Sequence, residues 1–297
     1  MDIIFHPTKE SSPSSSLQII SDLHLELDNQ YDAFTIPPCA PYLILAGDVG
    51  RLTDYQSYLS FIAKQTANFK KVFLVLGNHE FFGMSIEEGF DKARDLEGEE
   101  VFQGRLVLLN QGRFDLVDDE APVTILGCTL WSQIPDSAIE AVIGKVKDFT
   151  QITNRTTTSH NISHASDLSW LKSEISLIHH SNTQIVNPAM RRRIIVVTHH
   201  APCIEGTSKP EYVANAWTSA FASEILGEGN GNRGVWEDVK CWVFGHTHFS
   251  TEFLRGGVKV LANQRGYVRV GGEVDERSRR ILGRGERVFD AGMVIET

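Results

Sequence analysis

At 297 residues, 41% of them hydrophobic, the chain can bury one large core, and one or two domains fit within it. A formal net charge of −10 excludes the broad basic footprint that long nucleic acid requires, though a local metal centre would still attract a small phosphate ester. No run approaches the ~18 apolar residues of a membrane span. The opening MDIIFHPTKESSPSSS lacks a basic segment followed by an apolar one, so no secretory signal is expected. Cys39, Cys128, Cys203 and Cys241 form no CxxC pair, which points to free thiols in a reducing, cytoplasmic setting. Residues 1–16 read as a flexible lead-in and 17–297 as a single domain.

From residue 17 short β-rich runs alternate with helical stretches. LQIISD (17–22), YLILAGD (42–48) and KVFLVLGN (71–78) come first, each ending in a polar residue. RLVLLN (105–110), VTILGCTLW (123–131), RIIVVTH (193–199) and CWVFGH (241–246) repeat the pattern. Helical spacing of Tyr55, Leu59 and Ile62 predicts a helix over 53–64. Leu168, Leu171, Ile175 and Ile178 make one stripe over 163–178, with Ser163 or Ser166 as its cap. Near-continuous apolar strands predict sheets covered on both faces. Residues 200–240, rich in Gly, Asn and Ala, predict a long loop with one helix over the site. VKVLANQRGYVRV and ERVFDAGMVIE predict further strands, joined by a charged hairpin carrying Arg277, Arg279, Arg280, Arg284 and Arg287.

The polar strand ends form a set. SDLHLE gives Asp22 and His24, AGDVG gives Asp48, and VLGNHE gives Asn78 and His79. THHAP gives His199 and His200, and GHTH gives His246 and His248. Strand-to-loop junctions are where α/β proteins place ligand sites. In D-x-H and H-x-H, residues two apart in an extended segment point the same way and can reach one metal. Asp, His and Asn suit divalent transition metals. Glycines before Asp48, Asn78 and His246 allow tight bends. Singly, Asp22 is as readily a turn cap and His24 a surface residue; five such blocks in order are not.

The ordered blocks D-x-H, G-D, G-N-H-[DE], His and G-H-x-H, spanning 22 to 248, resemble the calcineurin-like metallophosphoesterase superfamily. LANQRGY (261–267) and GCTLW (127–131) resemble further segments of that family. The resemblance implies an α/β fold, a four-layer α-β-β-α sandwich of two mixed sheets with outer helices and the metal site at the carboxyl ends of strands. It also implies two divalent metal ions, Mn, Fe or Zn. Asp22, His24 and His248 would hold the first and Asn78, His199 and His246 the second, with Asp48 bridging them. A metal-activated hydroxide would attack phosphorus, while His79 stabilises the transition state or protonates the leaving oxygen.

Substrate class follows from a departure. Protein Ser/Thr phosphatases of this superfamily carry G-D-x-V-D-R-G and an Arg after G-N-H-E. Here GDVGRLTDY puts Arg51 out of register, and position 81 is Phe. The chain looks more like the small phosphodiesterase branch, which implies a small or cyclic nucleotide substrate, 2′,3′-cyclic favoured. A phosphomonoesterase or protein phosphatase is the alternative; a non-catalytic metal-binding scaffold would lack one of the seven ligand positions. His200, Arg51, Phe81, Trp131 and Tyr267, with Phe82, are the candidate substrate contacts, core packing being the alternative for the aromatic ones. Glu26 and Glu80 read as supporting or solvated groups, and His160, His164, His179 and His180 as a solvated helix face.

Overall fold

Strand β1 (Ser16–Ile20) turns Leu17 and Ile19 to one side and Ile20 to the other, and both sides are buried. The same holds along β2 (Tyr42–Ala46), where Ile44 and Ala46 oppose Leu43 and Leu45. Strands with no polar face must be covered on both sides, and the fold supplies both covers. The computed structural model describes residues 16–116, 122–227, 234–270 and 287–296. The lead-in up to residue 15 and Arg277, Arg279, Arg280 and Arg284 of the expected hairpin lie outside the described residues.

After β2 come α1 (Tyr55–Asn68), β3 (Lys71–Val75), α2 (Ile86–Glu97), β4 (Leu106–Leu108) and β5 (Gly112–Leu116). They are followed by β6 (Val123–Cys128), α3 (Ile139–Lys145), α4 (Asp148–Gln151), α5 (Thr157–Thr183) and β7 (Arg193–Thr198). The last strands are β8 (Val239–Val243), β9 (Thr251–Arg255), β10 (Val258–Ala262) and β11 (Val294–Glu296). One sheet has the order β11-β1-β2-β3-β4, the other β5-β6-β7-β8-β10-β9. Inner strands are parallel; β11, β5 and β9 pair antiparallel at the edges. Ile19, Ile44, Phe73 and Val75 of the first sheet meet Ile125, Ile195, Val197 and Val243 of the second. Outside, Leu43, Leu45 and Leu74 pack on Phe61 and Ile62 of α1 and Leu96 of α2. Leu126, Val196 and Trp242 pack on Leu171, Ile175 and Ile178 of α5. This is the expected four-layer sandwich.

Four local expectations need correction. Helix α5 starts six residues before the expected 163, capped by Thr156, whose side chain exchanges hydrogen bonds with Ser159 in a capping box. Its buried face therefore runs His160, His164, Asp167, Leu171, Ile175, Ile178, so His160 and His164 are interior rather than solvated. Between 200 and 240 the only helical turns among the described residues are 3-10, at Pro210–Tyr212 and Thr218–Ala220, because the run lacks a helical apolar stripe. The expected tail strands shrink to β10 and β11, with residues 263–270 running as loop past the strand ends. Among the described residues no helix is long and apolar enough to cross a membrane.

Candidate metal centre

The parallel strands β1, β2, β3, β7 and β8 all end on one edge, and their loops are tied to one another there. The backbone N–H of Asp22 donates to Gly47 O at 3.0 Å and that of His24 to Asp48 O at 3.0 Å. Gly245 N–H donates to His199 O at 2.9 Å. Asp22, His24, Asp48, His246 and His248 all have φ between 47° and 71°. Each such left-handed non-glycine residue costs about 1–3 kcal/mol and persists only where its surroundings enforce it. Hence a tight left-handed turn, and not strand alternation, brings the two members of D-x-H and of H-x-H together. Gly47 has φ +88°. At Gly77 the requirement is space, since an added Cβ would lie 2.2 Å from Asp48 Oδ1.

Three donor groups result: Asp22, His24 and His248; His24, Asp48 and His79; Asp48, His199 and His246. Asp48 reaches both ends, its Oδ2 3.7 Å from His24 Nε2 and its Oδ1 3.4 Å from His199 Nε2. The hydrogen-bond pattern asks for cations. His199 Nδ1–H donates to Ala46 O at 3.0 Å, leaving Nε2 as a lone pair in the neutral ring. Yet that Nε2 faces only acceptors, Asn78 Oδ1 at 3.1 Å and Asp48 Oδ1. His24 Nδ1–H likewise donates to Glu26 at 3.2 Å, and its Nε2 lies 2.9 Å from His248 Nε2. Buried Asp22 Oδ2 and His246 Nε2 have no hydrogen-bond partner at all. Donor atoms that converge this closely, with a proton on His199 standing where a cation could, fit divalent ions.

Supporting groups fix these donors. Asn78 Nδ2 donates to buried Asp148 Oδ1 at 2.7 Å, which turns the amide oxygen towards His199. Glu26 Oε1 accepts from His24 Nδ1 and, at 2.8 Å, from His79 Nδ1. Glu80 is fully buried, and its carboxylate accepts from the backbone of Gly77, Asp48, Val49 and Gly50 and from the Tyr58 hydroxyl. It ties the loop after β2 to the loop after β3, so neither Glu26 nor Glu80 is solvated.

The charges are unbalanced by burial. Burial pushes Asp22 up to about 6, and burial with the nearby Asp48 carboxylate pushes Glu80 up to about 7. Burial opposes the charge on His199 too, but Asp48 and Asp22 outweigh it and raise the ring to about 10. Against burial, His199 and His79 hold Asp48 well below the usual carboxylate range. Burial works against Glu26, yet its bonds from His24 and His79 hold it down at about 2. Burial lowers His246 and His248, keeping both rings neutral and available as donors.

A cleft of about 510 Å³ opens over this floor. Asp48, Asn78, His79, His246 and His248 line its base, and Tyr212, Trp217, Phe221, Lys145 and Lys147 its walls. Phe221 stacks on His246 at 4.7 Å, and Lys145 Nζ sits 5.3 Å over the Trp217 ring. His79 stacks on Phe82 at 4.2 Å, with its Nε2 3.2 Å from the Tyr267 hydroxyl, so Tyr267 reaches the cleft. Other expected contacts do not. Phe81 is fully buried against Phe90 and Trp131. Trp131 is also interior, its ring covered by the Arg155 guanidinium at 4.0 Å. His200 is fully buried behind the floor, 4.2 Å from the His246 ring, and does not line the cleft. Arg51 lines a neighbouring cleft instead. Sequence reasoning missed Asp148 and the wall residues Lys145, Lys147, Tyr212, Trp217 and Phe221. Only the aromatic density of 212–221 hinted at them.

Comparison with known proteins agrees in fold and family. A family model for calcineurin-like phosphoesterases matches residues 17–250. An uncharacterised protein, L509, of Acanthamoeba polyphaga mimivirus is 26% identical over an alignment of 275 residues, and the match covers 84% of this chain and 91% of that protein. Among solved structures, a phosphopantetheinyl hydrolase from Mycobacterium tuberculosis matches with a TM-score of 0.64 at 17% identity. That match covers 90% of this chain and 93% of the other, and it shows a shared fold.

Proposed function

The chain belongs to the calcineurin-like phosphoesterase family, and from that premise we propose that it hydrolyses a small phosphodiester, a cyclic nucleotide with 2′,3′-cyclic favoured, at a centre of two divalent ions. Asp22, His24 and His248 are the proposed ligands of one ion and Asn78, His199 and His246 of the other, with Asp48 shared. The observation that carries this reading is the convergence of His24, His199, His246 and Asn78 side-chain donor atoms around the shared Asp48 carboxylate. Bound there, two ions would supply Lewis acidity to the phosphoryl oxygens and lower the pKa of a water.

The chain's own residues then divide the work. In the hydrolysis, a water oxygen bonds to phosphorus, the bond from phosphorus to the leaving oxygen breaks, and the leaving oxygen gains a proton. His79 is placed to hold that proton on Nε2, because Glu26 fixes its Nδ1–H and orients the ring. Asp48 and Glu26 favour the protonated ring, and His79 is raised from its ordinary value although burial opposes it. Tyr212, Trp217 and Phe221 offer apolar surface for a planar base. Among the described residues no arginine lines the metal cleft, whose cations are Lys145 and Lys147, and this supports a diester monoanion over a monoester dianion.

The test is a substrate panel of 2′,3′-cyclic and 3′,5′-cyclic nucleotides, bis-p-nitrophenyl phosphate and p-nitrophenyl phosphate, with Mn, Zn and Mg supplied in turn. Faster turnover of the diesters is expected. Faster hydrolysis of the monoester across the panel overturns the reading.

A further inference from the structure

His79 and Tyr267 do not close the site; they stand in a partition. The metal cleft lies on one side, and on the other a second cleft of about 370 Å³ opens, which His79, Phe82, Lys147 and Tyr267 also line. Three cations from distant parts of the chain face this second cleft: Arg51 after β2, Lys147 before α4 and Arg269 after β10. Among the described residues Glu26 is the one acid in its lining; its Oε1 accepts from His24 and His79, and its Oε2 is buried without a partner. Arg51 Nε is buried with no hydrogen-bond partner, and the guanidinium carbon sits 5.7 Å from the Phe82 ring centre. Arg269 has an exposed contact with Asp28 at 3.4 Å, loose enough to exchange for a better anion. A buried, partnerless N–H on a charged group is costly unless a ligand supplies an acceptor.

We propose that this cleft is a second anion site that takes a phosphate carried by the leaving group of the substrate. The inference rests on the reading of the neighbouring centre as a phosphodiesterase with His79 as proton donor. A leaving oxygen at His79 puts the departing group at the partition, where the second cleft begins. In an open-chain diester the retained group then occupies the aromatic cleft; in a cyclic nucleotide, whose leaving oxygen stays on the same nucleoside, the phosphate that reaches the second cleft is one carried elsewhere on that nucleoside. Arginine with its planar fork is suited to a terminal phosphate, and Lys147 adds a point charge between the two clefts.

The experiment uses three aryl esters of thymidine 5′-phosphate, with phenol, 4-hydroxybenzoate or 4-hydroxyphenyl phosphate as the leaving group. They are compared in the metal-loaded wild type and in the Arg51→Gln/Arg269→Gln variant, after metal content and melting temperature show both to be folded and loaded. The chemical ease of departure is the same for both proteins, so the ratio of their kcat/KM values isolates the cleft. The phosphate-bearing ester is expected to lose about tenfold or more relative to the phenyl ester in the variant. An equal loss on the carboxylate ester would identify any anion as the ligand and overturn the phosphate assignment. A calorimetric titration with phenyl phosphate decides independently of turnover. Two equivalents in the wild type and one in the variant are expected, and one equivalent in both overturns the site. Failure of all three esters to react would sink the phosphodiesterase reading, while the titration would still decide on the second site.

Discussion

Asn78 Nδ2 and Asp148 Oδ1 lie 2.7 Å apart, joining the loop after β3 to the start of α4 across 70 residues of chain. An amide can present either oxygen or nitrogen, and this bond selects the oxygen for the side facing His199. Asp148→Ala should therefore lower the affinity of one of the two ions by about 10–100-fold and leave the other nearly unchanged. Asp148→Asn should do much less, because its carbonyl oxygen still accepts from Asn78. Metal titration with two resolved sites checks this; equal affinities in Asp148→Ala and the wild type would refute it.

Removal of metal should abolish turnover and its return should restore it. Among ligand substitutions, Asp48→Asn should be the most damaging, by about tenfold beyond His248→Ala, since Asp48 faces both donor groups. Elemental analysis of the two variants should show both ions depleted in the first and one in the second. Full turnover in protein shown to be free of metal would remove the basis for the centre.

His79 is expected to act on the leaving group and not on metal retention. His79→Ala should keep both ions and lose about 10²–10⁴ in rate. The loss should be large for a nucleoside alcohol and small for p-nitrophenolate, which departs with little help from an acid. Depletion of metal in this variant, or equal losses on both leaving groups, would assign His79 a different role; its place in one of the three donor groups makes that outcome a real contest.

Acid stability should depend on His160. Burial, with the Arg155 charge beside it, lowers His160 from 6.5 to about 3, so the folded chain keeps this ring neutral. The unfolded chain binds a proton there below 6.5, so the contribution of His160 to stability is lost as pH falls from 6.5 towards 3. Burial raises Asp167 to about 6, which acts in the opposite direction, but it is present in both proteins and cancels in their difference. Between pH 7 and 5 the metal-free wild type should lose about 2 kcal/mol more than metal-free His160→Gln in urea unfolding. Parallel pH dependences would show that His160 is accessible to protons in the folded state.

The blocks that carry the proposed ligands stand out in the sequence because each position offers a metal-binding donor atom and each follows an apolar run. The two sheets were legible for a related reason: strands such as YLILA and RIIVV leave no polar face. What stayed hidden depends on contacts between distant segments. Nothing local in KDFTQ announces that Asp148 meets Asn78, and nothing in GDVGR says that Arg51 turns away from the metal floor. Phe81 follows Asn78 and His79, so it shares their motif but not their direction, and the 3-10 turn at 79–81 sends it into the core. His160 and His164 were recoverable, since stepping back by three and four from Leu171 along its own stripe lands on both.

The left-handed residues of the centre come from both ends of the chain, and this fixes when the centre can exist. Asp22, His24, Asp48 and Asn78 leave the ribosome early, while His199 follows only after four further helices and four further strands, and His246 and His248 only after β8 as well. Until residue 248 emerges, Asp22 and Asp48 lack one or more of the His199, His246 and His248 rings that complete their donor groups. A cut in the exposed turn between α5 and β7 would divide the proposed ligands four to three. Reassociation of those two fragments would then respond to the free metal concentration, making the protein a metal-gated pair of halves.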